Sequence, residues 1–167
     1  DFCLSRGLGD VYKRQDLDNA ETLYGRLSKM GSNLIVKTIN DFENKYKNRV
    51  KQGDNFSYAP MIKKEMGKLD FNDTSRNIFN KIRGFYNWPS TFCEYLGEII
   101  KVHRAEISKE NPNDNVGTII KVSDDAIFVK TLDGSIKLLE IQFSGKKRVL
   151  VKDYLRGNSI KVGEILK

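Results

Sequence analysis

One histidine, His103, and two cysteines, Cys3 and Cys93, are all that this 167-residue sequence offers of imidazole and thiol. One ring and two distant thiols cannot supply three metal ligands at the usual spacing, so no metal site is expected. The two cysteines make no disulfide framework either. No Ser-His-Asp or Cys-His arrangement is legible. Long apolar runs are missing: none approaches the roughly 18–20 residues that span a bilayer. The first residues lack the long apolar core of a secretory signal. There are no internal repeats. These absences predict a reduced, cytoplasmic protein with no metal and no membrane partner.

What is present is an ordinary soluble composition, 39% hydrophobic and 31% charged. The length suits one domain, or one small domain plus part of another. The net charge of +7 is unevenly spread. Residues 1–15 and 16–60 each carry +1, and residues 61–167 carry +5. A basic C-terminal part favours polyanions, because displacing counterions from phosphates gives sequence-independent affinity.

Residues 1–15 (DFCLSRGLGDVYKRQ) do not run naturally into the chain after them. They resemble translated sequencing-adapter read-through and are expected to be non-native. The competing reading is a strand near Val11 behind a Gly-rich turn. Gly7-x-Gly9 is too short for a phosphate-binding fingerprint.

The spacing predicts a helix over 18–30, with Asp18 as cap and Glu21 three residues on. Leu23, Leu27 and Met30 share its apolar face, and Gly31 is expected to end it. A second helix over about 32–44 should bury Leu34, Ile35, Ile39 and Phe42. Residues 45–57 are polar and read as a boundary. An extended linker with Lys63, Lys64 and Lys68 comes next. Ile78, Phe79, Ile82 and Phe85 mark a half-buried helix over about 73–85. From Thr91 the apolar period switches to two. Strands are predicted at 92–96, 98–107, 116–122, 126–132 and 135–141, with Asp133-Gly134 as a hairpin turn. Five short strands fit a small barrel of the OB type. A short helix over 149–156 closes the pattern. Asp124-Asp125 reads as a solvated turn, His103 as a half-exposed strand residue, and Trp88, Tyr95 and Phe128 as core.

Several segments stand in one order and spacing: Y-A-P-M-I-K-K-E from Tyr58, I-R-G-F-Y-N-W-P from Ile82, G-T-I-I from Gly117, D-G-S-I-K-L-L-E-I-Q from Asp133, G-K-K-R from Gly145 and Y-L-R-G from Tyr154. With E-T-L-Y-G-R-L from Glu21, they resemble the C-terminal part of the methionyl-tRNA formyltransferase family over about residues 17–167. Phe71 stands where the family usually has Trp, Tyr86 where Pro is frequent, and Phe143 where Pro is common.

The resemblance implies an α+β chain. Residues 16–52 would be the last helices of a Rossmann-like catalytic domain, 53–70 a basic linker, and 71–167 an OB-like tRNA-binding domain. It implies formyl transfer from 10-formyltetrahydrofolate to the amino group of initiator methionyl-tRNA, by a monomer and without a metal. The family's catalytic Asn, His and Asp lie in an N-terminal half largely missing here. No catalytic residue is therefore expected in this chain, nor activity from it alone, and His103 inherits no role. By position, the resemblance assigns tRNA contacts to Lys63, Lys64, Arg83, Lys146 and Lys147. Lysine and arginine on a linker and a loop can track phosphates and fix register without reading sequence. Two alternatives stand beside this reading. One is another formyltransferase, acting on a sugar amine or hydrolysing formyltetrahydrofolate. The other is a stand-alone RNA-binding OB module.

Overall fold

The computed structural model describes residues 2–4, 11–13, 15, 18–51 and 53–167. The chain divides into two units, residues 1–61 and 62–167.

In the first unit, strands β1 (Phe2–Leu4) and β2 (Val11–Lys13) pair antiparallel. Gly7 and Gly9 lie outside the described residues. Helix α1 runs unbroken over Ala20–Asn40, and α2 comes after it over Phe42–Lys47. The cap is Asn19 rather than Asp18. Its side-chain oxygen accepts from the Thr22 N–H at 2.9 Å, and the Thr22 hydroxyl accepts from the Asn19 N–H at 3.1 Å. Asp18 pairs with Arg26 instead. Gly31 does not end the helix. A helical glycine costs only about 1 kcal/mol relative to alanine, and the turns on both sides outweigh it. Neither helix buries a residue. Ile35, Ile39 and Phe42, predicted to be core, are exposed.

In the second unit, a 3-10 turn (Lys64–Gly67) interrupts the expected linker. Helix α3 (Ser75–Gly84) is capped by the Thr74 hydroxyl, which accepts from the Asn77 N–H at 3.2 Å. Ser75 N–H and its hydroxyl donate to Asp133 at 2.7 and 2.9 Å, tying the helix start to a distant hairpin. Those bonds, led by the Ser75 N–H, hold the Asp133 carboxyl below its ordinary pKa.

The strands are β3 (Thr91–Tyr95), β4 (Glu98–Ser108), β5 (Ile119–Val122), β6 (Ile127–Lys130), β7 (Ser135–Phe143) and β8 (Val149–Leu150). They form one antiparallel sheet in the order β3-β4-β7-β6-β5, with β8 on β7. Leu96 and Gly97, both at positive φ, make the two-residue β3–β4 turn. Helix α4 (Val151–Tyr154) continues from β8. The core gathers Ile78 and Ile82 from α3 with Ile100, Val102, Val129, Ile136, Leu138, Ile141 and Val151.

The fold is α+β with an antiparallel sheet, as expected, but two features differ from the sequence reading. The sheet has six strands, and it is not closed strand to strand, because β3 and β5 do not pair. The backbone at the chain end bonds to both instead. Lys167 exchanges two hydrogen bonds with Glu94 of β3. The Leu166 N–H donates to Gly117 O, and the Gly163 N–H to Ile119 O. In addition, β4 is irregular around His103, where its register with β7 shifts between Val102 and Ala105.

Candidate nucleic-acid interface

Strand pairing decides which cations share a face. Lys68 bridges to Phe92, Phe92 pairs with Lys101 across β3–β4, and Lys101 pairs with Gln142 across β4–β7. Paired residues point to the same side of a sheet. These four therefore form one row on the face away from the core residues Cys93, Ile100 and Ile141.

At one end of the row lies the 3-10 turn bearing Lys64, with Lys63 before it, both exposed. Gly67 seats that turn. A Cβ there would stand 2.2 Å from Ser90 O and 3.4 Å from the Pro89 ring. The Leu69 N–H then donates to Phe92 O at 2.8 Å, and Lys81 Nζ from α3 donates to Lys68 O at 2.6 Å.

At the other end is the turn Gly145-Lys146-Lys147, with Gly145 at φ 72°. Gln142 Nε2 donates to Lys146 O at 2.9 Å, and the Lys146 N–H donates to Phe143 O at 3.0 Å. Both lysines are exposed. Arg148 leaves this turn toward the sheet. Its Nη2 donates to Glu140 and to the Tyr86 hydroxyl, each at 2.7 Å. The hydrogen bond from Arg148 holds the Glu140 carboxyl below its ordinary pKa and raises that of the guanidinium.

Tyr86 and Pro89 belong to one connection, residues 85–90 between α3 and β3. The two basic segments thus meet on it: the 3-10 turn touches Pro89 and Ser90, and Arg148 holds Tyr86. Trp88 stands between these contacts and is 60% exposed, not core as its sequence context predicts. The signal for this lay in its neighbours Asn87 and Pro89, since both are turn formers. Lys101 was missed as well. It sits at an outward position of a strand whose alternation was read only for its core.

Arg83 is placed differently. Its guanidinium lies 4.6 Å from the Phe79 ring centroid, and its Nη2 donates to Asn80 Oδ1 at 2.6 Å. The charge pairing also differs across the unit. Lys121 pairs with Glu110, Lys137 with Glu106 and Arg148 with Glu140. Among the described residues, Lys63, Lys64, Lys68, Lys101, Lys146 and Lys147 form no ion pair.

His103 is 7% exposed, against the half-exposed position predicted for it. It sits at the β4 irregularity among Gln142, Glu140, Arg148 and Lys101. Its Nε2 faces Gln142 Oε1 at 3.2 Å, and its Nδ1 has no partner. Burial, reinforced by the nearby Arg148 charge, lowers its pKa. Burial pushes the Cys93 thiol up to about 12. Among the described residues no three His, Cys, Asp or Glu side chains converge on a cation site, and no helix is long and apolar enough to cross a membrane.

Residues 61–159 match the family described as formyl transferase, C-terminal domain. The methionyl-tRNA formyltransferase of Clostridium acetobutylicum is 38% identical over 165 residues, covering 95% of this chain and 53% of that protein. The methionyl-tRNA formyltransferase of Clostridioides difficile is 37% identical over 148 residues, covering 88% and 48%. The chain thus spans about half the length of these curated relatives. Among solved structures, HypX from Aquifex aeolicus in complex with tetrahydrofolic acid shares the fold, with a TM-score of 0.64 at 12% identity, over 92% of this chain and 30% of that one.

Proposed function

The chain belongs to the family of formyl transferase C-terminal domains, and on that premise we propose that it is the tRNA-holding half of a methionyl-tRNA formyltransferase. The whole enzyme would move a formyl group from 10-formyltetrahydrofolate to initiator methionyl-tRNA in the cytoplasm, at the start of protein synthesis. The formyl carbon leaves a folate nitrogen and bonds to the methionyl amino nitrogen. That nitrogen gives up one proton, and the folate nitrogen gains one.

The residues present here hold and do not react. The one histidine is buried against Gln142, so it does not fit a site for the formyl donor, and no step is routed through this chain. Helices α1 and α2 are read as the last helices of the catalytic domain, since their exposed apolar stripe calls for a partner. The second unit is read as an OB-like barrel whose gap the segment 163–167 fills.

The observation that carries this reading is the convergence on residues 85–90 of two basic segments whose lysines form no ion pair. Lys63, Lys64, Lys146 and Lys147 would contact phosphates of the acceptor arm. Arg83, engaged with Phe79 and Asn80, would contribute least. Replacing the four lysines by alanine is expected to weaken tRNA binding and to flatten its dependence on salt. The slope should fall by about one unit for each phosphate that the variant no longer touches. An unchanged slope would overturn the assignment.

A further inference from the structure

We infer that the exposed ring of Trp88 is a stacking platform for an unpaired RNA base, with the cationic row beside it carrying the phosphates of the same single strand. This rests on the tRNA-holding role proposed above and names the part of the RNA that this face receives.

Three observations meet here. First, Trp88 is a large aromatic left 60% exposed on a connection that is otherwise fixed, by Pro89 and Ser90 against the 3-10 turn and by Tyr86 to Arg148. A held turn presents the ring without the cost of ordering a loose loop. Second, the cations around it have no carboxylate partners. The turn bearing Lys63 and Lys64 meets one part of the Trp88 connection, Pro89 and Ser90, and Arg148, next to Lys146 and Lys147, holds another, Tyr86, while strand pairing sets Lys68 and Lys101 in one row. Glu140, on the same sheet, is matched by Arg148. Glu65 in the 3-10 turn is an acidic neighbour that the six lysines outnumber. Third, the row crosses four adjacent chain segments at about 4.8 Å each, or about 14 Å from Lys68 to Gln142. That is room for a few nucleotides at a rise of about 3.4 Å or more per nucleotide.

An aromatic ring flanked by a basic groove is how single strands are held without sequence preference: each base offers a π-face, and each phosphate a charge. A fully paired stem keeps its bases stacked inside the duplex and could use the lysines but not the ring. The occupant is therefore the unpaired end of an RNA rather than its paired stem.

Trp88 is the chain's one tryptophan, so its emission reports this site alone. The test titrates the full 167-residue chain with a short single-stranded oligoribonucleotide and with a blunt RNA duplex of equal charge. Tryptophan emission and the anisotropy of end-labelled RNA are followed together. Saturable quenching by the single strand, little by the duplex, and anisotropy rises for both are expected. Trp88→Ala should weaken single-strand binding by about tenfold or more and leave duplex binding unchanged, with Trp88→Phe retaining most of the affinity. RNA binding without quenching, or equal loss on both RNAs in Trp88→Ala, would overturn the platform and leave the lysine contacts standing. No anisotropy change with either RNA would overturn both readings.

Discussion

In α3 an apolar helical stripe ends in a core: Ile78 and Ile82 are 2% and 1% exposed. In α1 a stripe of the same kind ends in solvent, and Ile35 and Ile39 are 59% and 66% exposed. Both helices are amphipathic and both have a side-chain N-cap. They differ in what surrounds them. The second unit supplies a six-stranded sheet for α3 to pack on. The described part of the first unit offers a two-stranded pair and one further short helix. Burying an isoleucine contributes about 1.5–3 kcal/mol, and only α3 collects it. An apolar stripe is thus a demand for a partner. Whether it is met depends on the rest of the chain, and α1 must rely on its cap and its backbone ladder.

The largest test of this contrast is in the two stripes themselves. Ile82→Ala should cost about 2–5 kcal/mol through weaker packing and a cavity. Ile39→Ala should change stability by about 0.5 kcal/mol or less. Urea unfolding of both variants measures the difference, and similar losses would erase it.

A second comparison uses glycines. Gly67→Ala puts a methyl 2.2 Å from the Ser90 carbonyl, so the 3-10 turn or residues 85–90 must shift. A loss of about 1–3 kcal/mol is expected, together with weaker RNA binding, because both basic segments meet there. In α1, nothing lies within 4 Å of a Cβ on Gly31. Gly31→Ala should instead stabilise by about 0.4–1 kcal/mol. Thermal unfolding should give the two changes opposite signs.

The smallest effect concerns pH. His103 faces Gln142, Arg148, Glu140 and Lys101, and its folded pKa is lowered, chiefly by burial and then by Arg148. The unfolded chain therefore takes up its proton first, at a pKa of about 6.5. This contribution to stability is complete above that pH and is lost as pH falls toward the folded value. The urea midpoint should decline on acidification from about pH 7 to 5.5, and less steeply in His103→Phe. Parallel profiles would show that His103 is not the group responsible.

Much of this was legible in the sequence, for local reasons. The stripe of α3, the alternation of β4 and β7, and the turn Asp133-Gly134 are written in neighbouring positions. G-K-K-R and I-R-G-F-Y-N-W-P, which carry much of the family resemblance, both lie within the matched residues 61–159. What escaped depends on distant chain. His103 is buried among Gln142, Glu140 and Arg148, which come from β7 and the turn after it. Trp88 is exposed because Arg148 and Gly67 fix its turn from outside the helix that precedes it. The bonds of residues 163–167 to Glu94, Gly117 and Ile119 are made by backbone atoms, which leave no side-chain pattern. The cationic row was hidden for a similar reason. Lys68, Lys101 and Lys146 are far apart in sequence and become neighbours only through β3, β4 and β7.

The central claim is that the second unit, and one face of it, meets the RNA. The most direct measurement is the salt dependence of tRNA affinity for two variants of the 167-residue chain with equal charge removed. One carries alanine at Lys63, Lys64, Lys146 and Lys147, the other at Lys29, Lys37, Lys45 and Lys47 in the first unit. The account predicts a slope lower by up to about four units in the first variant and unchanged in the second. Equal slopes in the two, whether both fall or neither does, would contradict it.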